Sequence, residues 1–253
     1  MNNQKLYRGV VLISRYHKSD HYSKRSWQLM LKPICASTEI ELTKWIEEKP
    51  VKKNQPKAMF ASCQRFGQGQ DGRIWQAPKG GVWVSAAIKR EGPYENNSQL
   101  YGLAVALALV ERIERTIGVN VKIKWPNDLL VDGQKLAGIL PRLFFRGEKL
   151  RLLRVGVGLN VFNKVPKEGI SLKQIVRDKI MDINFWSSEV LIAIERSLDF
   201  LDNKNLLCGQ VEERLWSKIY IDKETGNQWD IKGIDTSGRL IVFKEDKEKV
   251  FSV

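Results

Sequence analysis

Histidine is the scarcest of the reactive residue types in this chain: its 253 residues hold two, His17 and His21. They stand four apart among Lys18, Ser19 and Asp20, with little apolar periodicity around them. That setting reads as a solvated loop rather than a metal site, and with no histidine near any other motif a histidine-based hydrolase is disfavoured. Cysteine is almost as rare. Cys35, Cys63 and Cys208 are an odd number without metal-ligand spacing, which favours reduced thiols over a disulfide framework. No apolar run approaches the roughly 20 residues that a membrane helix requires, and residues 1–5 lack the core of a signal peptide. The expectation is a soluble, cytoplasmic protein with no membrane partner. Internal repeats and low-complexity tracts are also absent. The 43% hydrophobic content at this length suffices for one large domain with an appendage.

One compositional excess stands against these absences, a formal net charge of +13. It suits nucleic acid, phosphate-bearing substrates or an acidic protein equally well. The basic residues are spread along the chain, so the charge points to an anionic partner without choosing one. Residues 6–32 hold two short strand-like stretches, 10–13 and 27–31, around a polar segment. A recognition-helix module needs more room and a helix-turn-helix pattern, so no DNA partner is expected.

From Ser37 the pattern turns helical. Ser37 and Thr38 are capping types, followed by Ile40, Leu42, Trp45 and Ile46 among Glu39, Glu41, Glu47 and Glu48. From these residues alone an N-cap is the favoured role for both. A short apolar strand over 58–63 leads to a loop bearing Gly67, Gly69 and Gly72. Those spacings match a dinucleotide fingerprint, but a helix must follow it, and here residues 77–81 lead into another strand, 82–88. A kinase-type glycine loop lacks its later partner motifs. What survives is backbone amides able to approach an anion, with Arg65, Arg73 and Lys79 nearby. Ser98 then precedes a long apolar helix that Gly118 closes.

The densest stretch is 122–140. Val121, Ile123 and Trp125 alternate with Lys122 and Lys124, and Pro126 breaks the ladder, leaving Asn127 and Asp128 at an irregular strand end. Asp132 and Gly133 predict a two-residue hairpin turn that brings Lys135 opposite them. An ion pair across the hairpin accounts for this spacing as well as a reactive site does. A second hairpin runs from 140–145 through Gly147 and Glu148 into 150–159, carrying Gly156, Gly158 and then Asn160. Its glycines fit a flat ligand against the backbone or, alternatively, a β-bulge. Residues 168–183 read as irregular, 188–201 as an amphipathic helix, 203–209 as a break and 211–216 as a short helix. Short strands over 228–232, 239–244 and 249–253 predict a small β-barrel, with a boundary near residue 206.

Together, residues 64–75, the run Lys124, Trp125, Pro126, Asn127, Asp128, the run 135–139 and the run 156–160 resemble the catalytic core of a biotin protein ligase. The resemblance covers residues 37–160 and, through the small barrel, extends to the end. It implies an α+β fold: a mixed central β-sheet packed with helices, of the class II synthetase and biotin ligase type, with a C-terminal SH3-like β-barrel. The implied domains are 1–205, with 1–32 as an N-terminal extension, and 206–253. It further implies a monofunctional form without a DNA-binding domain. The implied reaction joins biotin and magnesium ATP into biotinyl-5′-adenylate, then acylates a lysine of the biotin carboxyl carrier protein of acetyl-CoA carboxylase. Lys135 matches the lysine that contacts the carboxylate and α-phosphate, Asp128 the acid that orients or deprotonates the carrier lysine, and Asn127 a residue that orders the site. Ser37, Thr38, Gln64, Gly67 and Gln68 match biotin contacts, with Gly138 and Gly156 giving backbone access. Gln70, Arg73, Trp75, Gly158 and Asn160 match the adenylate side, Trp75 beside the adenine and Asn160 at its edge. Magnesium is implied by ATP rather than by any ligand set, and a homodimer through sheet edges is an open expectation.

Two departures stand out. The family loop commonly carries arginine where Gln68 and Gln70 stand, so the adenylate should be held less firmly unless Arg65, Arg73 or Lys79 supplies the charge. Glu39 replaces a common asparagine. A protein of the same fold that binds biotin or its adenylate without turnover, or a lipoate-type ligase, is the alternative.

Overall fold

The computed structural model describes residues 2–18, 25–93, 98–147, 149–177 and 181–252. In chain order they form α1 (Asn2–Lys18), β1 (Gln28–Lys32), α2 (Thr38–Glu48), β2 (Lys57–Ala61), β3 (Gln64–Gln68), β4 (Ile74–Ala77), β5 (Val82–Pro93) and α3 (Gln99–Ile117). There follow β6 (Lys122–Lys124), β7 (Asp128–Val131), β8 (Gln134–Arg146), β9 (Lys149–Leu159), α4 (Leu172–Val176), α5 (Ile183–Leu201) and α6 (Lys204–Glu213). The chain ends in β10 (Ile219–Ile221), β11 (Gln228–Ile234), β12 (Leu240–Lys244) and β13 (Lys247–Phe251).

Among the described residues, seven strands make one mixed sheet in the order β1-β2-β5-β9-β8-β7-β6, with β1 and β2 parallel and the other neighbours antiparallel. Side chains alternate across each strand, so the two faces are served separately. Ala58, Phe60, Val84 and Ala86 join α3 and α5 in the large core, whereas Met59 and Ala87 pack with Leu42 of α2 on the other face. Val105, Leu109 and Ile113 of α3 are fully buried, and Gly118 closes that helix at φ 67°. The last four strands form an antiparallel sheet of the expected SH3-like kind. Ile234, Leu240 and Val242 of this sheet belong to the same core as α6.

Several expectations need correction. Residues 10–13 lie in α1 rather than in a strand, because Leu12 and Tyr16, one turn apart, are fully buried and the helix docks on α5. His17 is therefore helical, not in a loop, while His21 lies outside the described residues. Residues 134–146 form one continuous strand shared by both hairpins, and the second turn's Glu148 is not among the described residues. Residues 168–183 include α4, which carries a capping box of Ser171 and Gln174. The helix expected over 188–201 begins at Ile183, where the Asp182 side chain accepts from the Asn184 and Phe185 amides. The expected break at 203–209 is instead the start of α6, with Asn203 as its N-cap, so residue 206 falls inside a helix.

A buried polar cluster fixes α1. The Tyr16 hydroxyl donates to Glu195 Oε2, Trp27 Nε1 donates to the same oxygen at 3.2 Å, and Arg25 Nε lies 3.6 Å from Oε1. Burial, then Glu195, pushes the Tyr16 phenol well above its usual range. An unfolded tyrosine ionises near pH ~10, whereas Tyr16 keeps its proton in the folded state. The stabilisation is therefore complete below pH ~10 and is lost as the pH rises beyond it. Tyr16→Phe is expected to cost about 1–3 kcal/mol at neutral pH, since Glu195 loses a donor, and to flatten the alkaline fall in Tm. Melts at pH 8 and 10.5 test this; the same alkaline slope in both proteins sinks it.

Candidate active site

The reactive hairpin forms as the turn chemistry requires. Asp132 and Gly133 both take positive φ, 48° and 78°, and fold β7 back onto β8. A register shift between Leu129 and Leu130 follows, pairing Leu130 with Lys135 but Asp128 with Gly138. Such an irregularity re-aims side chains next to it, and Lys135 Nζ stands 2.7 Å from Asp128 Oδ1. The Lys135 backbone is fixed from outside the sheet: its amide donates to the Glu168 carbonyl at 2.8 Å and its carbonyl accepts from the Ile170 amide at 3.0 Å. Beyond Pro126, Asn127 takes over the role of the broken ladder. Its Nδ2 donates to the Ile139 carbonyl at 2.8 Å, and the Ile139 amide returns a bond to its carbonyl at 2.9 Å.

Lys135 and Asp128 open into a cavity of about 260 Å³. A second polar group on its wall comes from α2, β3 and β5. Gln64 Oε1 accepts from the Thr38 amide at 2.7 Å and from the Thr38 hydroxyl at 3.0 Å, and that hydroxyl lies 2.9 Å from Ser85 Oγ. Ser37 caps α2 by accepting from the Glu39 amide at 3.2 Å and also lines the cavity.

Between these groups lie glycines. Gly138 pairs with Gly158 across β8 and β9, and Gly156 follows two rungs on, opposite Leu140, without a bulge. A Cβ at Gly158 would fall 2.7 Å from the Trp75 indole and one at Gly138 would fall 2.8 Å from it. The glycine pair thus accommodates the chain's own indole, where the sequence suggested a flat ligand. Trp75 Nε1 is buried without a hydrogen-bond partner, and Lys135 Nζ stands 4.9 Å from the ring centre. Gly67 acts from behind: a Cβ there would lie 2.4 Å from the Trp75 carbonyl oxygen.

The cavity therefore gathers Ser37, Thr38, Gln64, Gln68, Gln70, Arg73, Trp75, Asn127, Asp128, Lys135, Gly138, Gly156 and Gly158. Gly67 and Asn160 are not on its wall. Asn160 is 5% exposed, and both ends of its amide are engaged: Nδ2 donates to the Lys135 carbonyl at 3.2 Å and Oδ1 accepts from Asn163 Nδ2 at 3.0 Å. It braces the lysine strand from inside. Of the three cations expected to replace the loop arginines, Arg73 alone reaches the wall, and it is paired with Asp71 at 2.9 Å. Ser85, Lys124, Glu39 and Lys223 line the cavity without having been expected as site residues. Ser85 is the lone polar residue in the apolar run 82–88, and that was its signal. Lys223 comes from the terminal sheet region, and nothing local marks it.

The sheet order, the helices on both faces and this cavity define an α+β domain with one polar, glycine-lined site. Residues 38–160 match the biotin/lipoate A/B protein ligase family. It is 37% identical over 130 residues to the bifunctional ligase/repressor BirA of Bacillus subtilis, a match covering 48% of this chain and 40% of that protein. It is 35% identical over 105 residues to the biotin–[acetyl-CoA-carboxylase] ligase of Paracoccus denitrificans, covering 41% of this chain and 43% of that protein. These matches span less than half the length of either relative. The fold is also that of the biotin protein ligase from Aquifex aeolicus solved in complex with biotin and ATP, with TM-score 0.71, 22% identity and coverage of 88% of this chain and 95% of that one.

Proposed function

We propose that the protein activates biotin with ATP to biotinyl-5′-adenylate and transfers biotin to a lysine of the carboxyl carrier protein of acetyl-CoA carboxylase. The observation that carries this reading is the Lys135–Asp128 pair, 2.7 Å apart, in the same cavity as the Thr38, Gln64 and Ser85 group. The name of the Paracoccus relative supports the choice of carrier.

The two half-reactions divide the pair. When the biotin carboxylate attacks the α-phosphate, negative charge gathers on phosphate oxygens, and Lys135 is positioned to stabilise it. In the resting site Asp128 is its counter-ion. As the adenylate draws Lys135 to itself, Asp128 loses that partner and becomes free to accept a proton from the incoming carrier amine, which must be neutral to attack the acyl group. Trp75, on the cavity wall, offers the adenylate a ring face. Magnesium accompanies ATP as a charge-neutralising ion. Among the described residues no group of three or more His, Cys, Asp or Glu is placed to hold a metal, so none is assigned to it.

Incubation with labelled biotin, ATP and a carrier domain tests the proposal: pyrophosphate release and carrier labelling are expected, and the absence of both sinks it. Binding without turnover is the second reading, favoured by the neutral Gln68 and Gln70 on the wall; it predicts retention of biotin with no labelled carrier. Competition by lipoate separates the lipoate-type ligase. The loop makes a further prediction. Gln70→Arg restores a cation near the phosphate and is expected to slow adenylate dissociation about 10-fold, the scale of one charge-assisted hydrogen bond. An unchanged dissociation rate in a filter-binding chase refutes it.

A further inference from the structure

Glu39 is the second residue of α2 and lies on the cavity wall beside Thr38. Its side chain is 10% exposed, and its Oε1 sits 2.7 Å from Nη2 of Arg154, which is 4% exposed. The same Nη2 donates to the Glu39 carbonyl at 3.1 Å and to Thr43 Oγ1 at 2.7 Å. Phe144 lies under the guanidinium, 4.7 Å from it. Arg154 precedes Gly156 by two residues on β9 and so shares the face that carries the glycines.

An acid in the first turn suits the helix dipole, which accounts for its charge but not for its burial on a ligand cavity. Oε1 is sealed from solvent and makes no hydrogen bond, and Oε2 has neither a hydrogen-bond nor an ion-pair partner among the described residues. A carboxylate has about four acceptor sites; the Arg154 guanidinium stands at Oε1, and Oε2, which is not sealed, keeps room for a further donor. Its neighbours on the wall are differently placed. Gln64 Oε1 already accepts twice from Thr38, and Ser37 Oγ accepts from the Glu39 amide. Beside these two engaged acceptors, Glu39 Oε2 has no acceptor site taken among the described residues.

We infer that Glu39 is a specificity-determining residue whose carboxylate, fixed by Arg154, accepts an N–H of the polar head of the bound acid. The inference rests on the biotin reading, in which that head is a cyclic urea with two N–H donors and one carbonyl. The Ser85 hydroxyl, turned from its resting contact with Thr38, suits the carbonyl, and Glu39 suits one N–H. A head with no N–H, such as a dithiolane, would leave the buried carboxylate unpaired. Sites built around a hydrogen bond reject ligands that lack it far more strongly than apolar pockets reject a missing methylene.

Calorimetric titration of the full chain tests this without requiring turnover. The ligands are biotin and its two cyclic carbamates, in each of which an oxygen replaces one ring N–H. Glu39→Gln is expected to weaken biotin about 10- to 100-fold, the scale of a charge-assisted hydrogen bond. The carbamate that lacks the N–H facing Glu39 should bind wild type and variant alike, and the ATP affinity should be unchanged. Equal biotin affinity in wild type and variant overturns the inference while leaving the biotin reading intact; so does an equal loss for all three ligands. No saturable biotin binding by the wild type overturns the biotin reading and the inference with it. Glu39→Gln leaves Arg154 without its counter-ion, so the double variant Glu39→Gln, Arg154→Gln accompanies it as a folded control. If neither variant folds, the wild-type series decides, and equal affinity for biotin and both carbamates refutes the role.

Discussion

Lys135→Ala abolishes most pyrophosphate release, with an expected loss of about 10²- to 10³-fold in the first half-reaction, the cost of removing one preorganised charge from a developing oxyanion. The side chain is about one-third exposed and lies between a carboxylate at 2.7 Å and an indole at 4.9 Å, so its removal disturbs no core packing. Tm should therefore stay close to wild type. Lys135→Arg keeps the charge but not the compact point-like geometry, and it should recover only part of the rate. The two half-reactions separate the role further. Carrier acylation from synthetic biotinyl-5′-adenylate should suffer less than adenylation, because proton removal by Asp128 remains. If both steps fall equally, or if adenylation survives in Lys135→Ala, the lysine is only a partner across a hairpin.

Gly158→Val should be nearly as damaging for a different reason. Valine suits a strand, and β9 is held on both sides by β5 and β8, so the fold tolerates the change. The new Cβ would stand 2.7 Å from the Trp75 indole. The ring moves rather than the strand, because it rides on the two-stranded β3–β4 hairpin, whose Phe66 and Ile74 are 66% and 78% exposed. Losing the ring from beside Lys135 is expected to cost about 10²-fold in adenylation, the scale of a misplaced positioning group. Trp75→Ala in the same background should add little, since both changes remove one thing. Wild-type adenylation by Gly158→Val, or losses that multiply in the double variant, refutes this account.

Elements written in local chemistry were legible in the sequence. Asp132 and Gly133 fix their turn, Gly118 ends α3, and Ser37 begins α2, because each depends on residues a few positions apart. The Lys135–Asp128 contact followed from that turn. Residues 10–13 were misread because a short apolar run is equally good strand or helix; Tyr16 and Glu195, 179 positions apart, settle it. Glu39 and Arg154 meet across a similar gap, and no spacing rule joins them. Asn160 looked available because a polar residue after a glycine strand faces outward by default; Asn163, three residues on, turns its amide inward. The site was thus readable where one hairpin builds it and opaque where separate elements converge.

The path of α6 bears on how freely the terminal sheet can be exchanged between proteins. Leu207 and Val211 are fully buried in one core with Ile234, Leu240 and Val242, and Glu212 Oε1 accepts the Ile234 amide at 2.6 Å. Past the helix, Ile123 of β6 donates to the Arg214 carbonyl at 2.7 Å and accepts from the Trp216 amide at 2.9 Å. The segment is a graft union, with each side rooted in the other. A chimera joined near residue 206 would split that helix, and a joint beyond Trp216 keeps the helix in one piece but sets Leu207 and Val211 against foreign strands, so neither joint exchanges the terminal sheet cleanly.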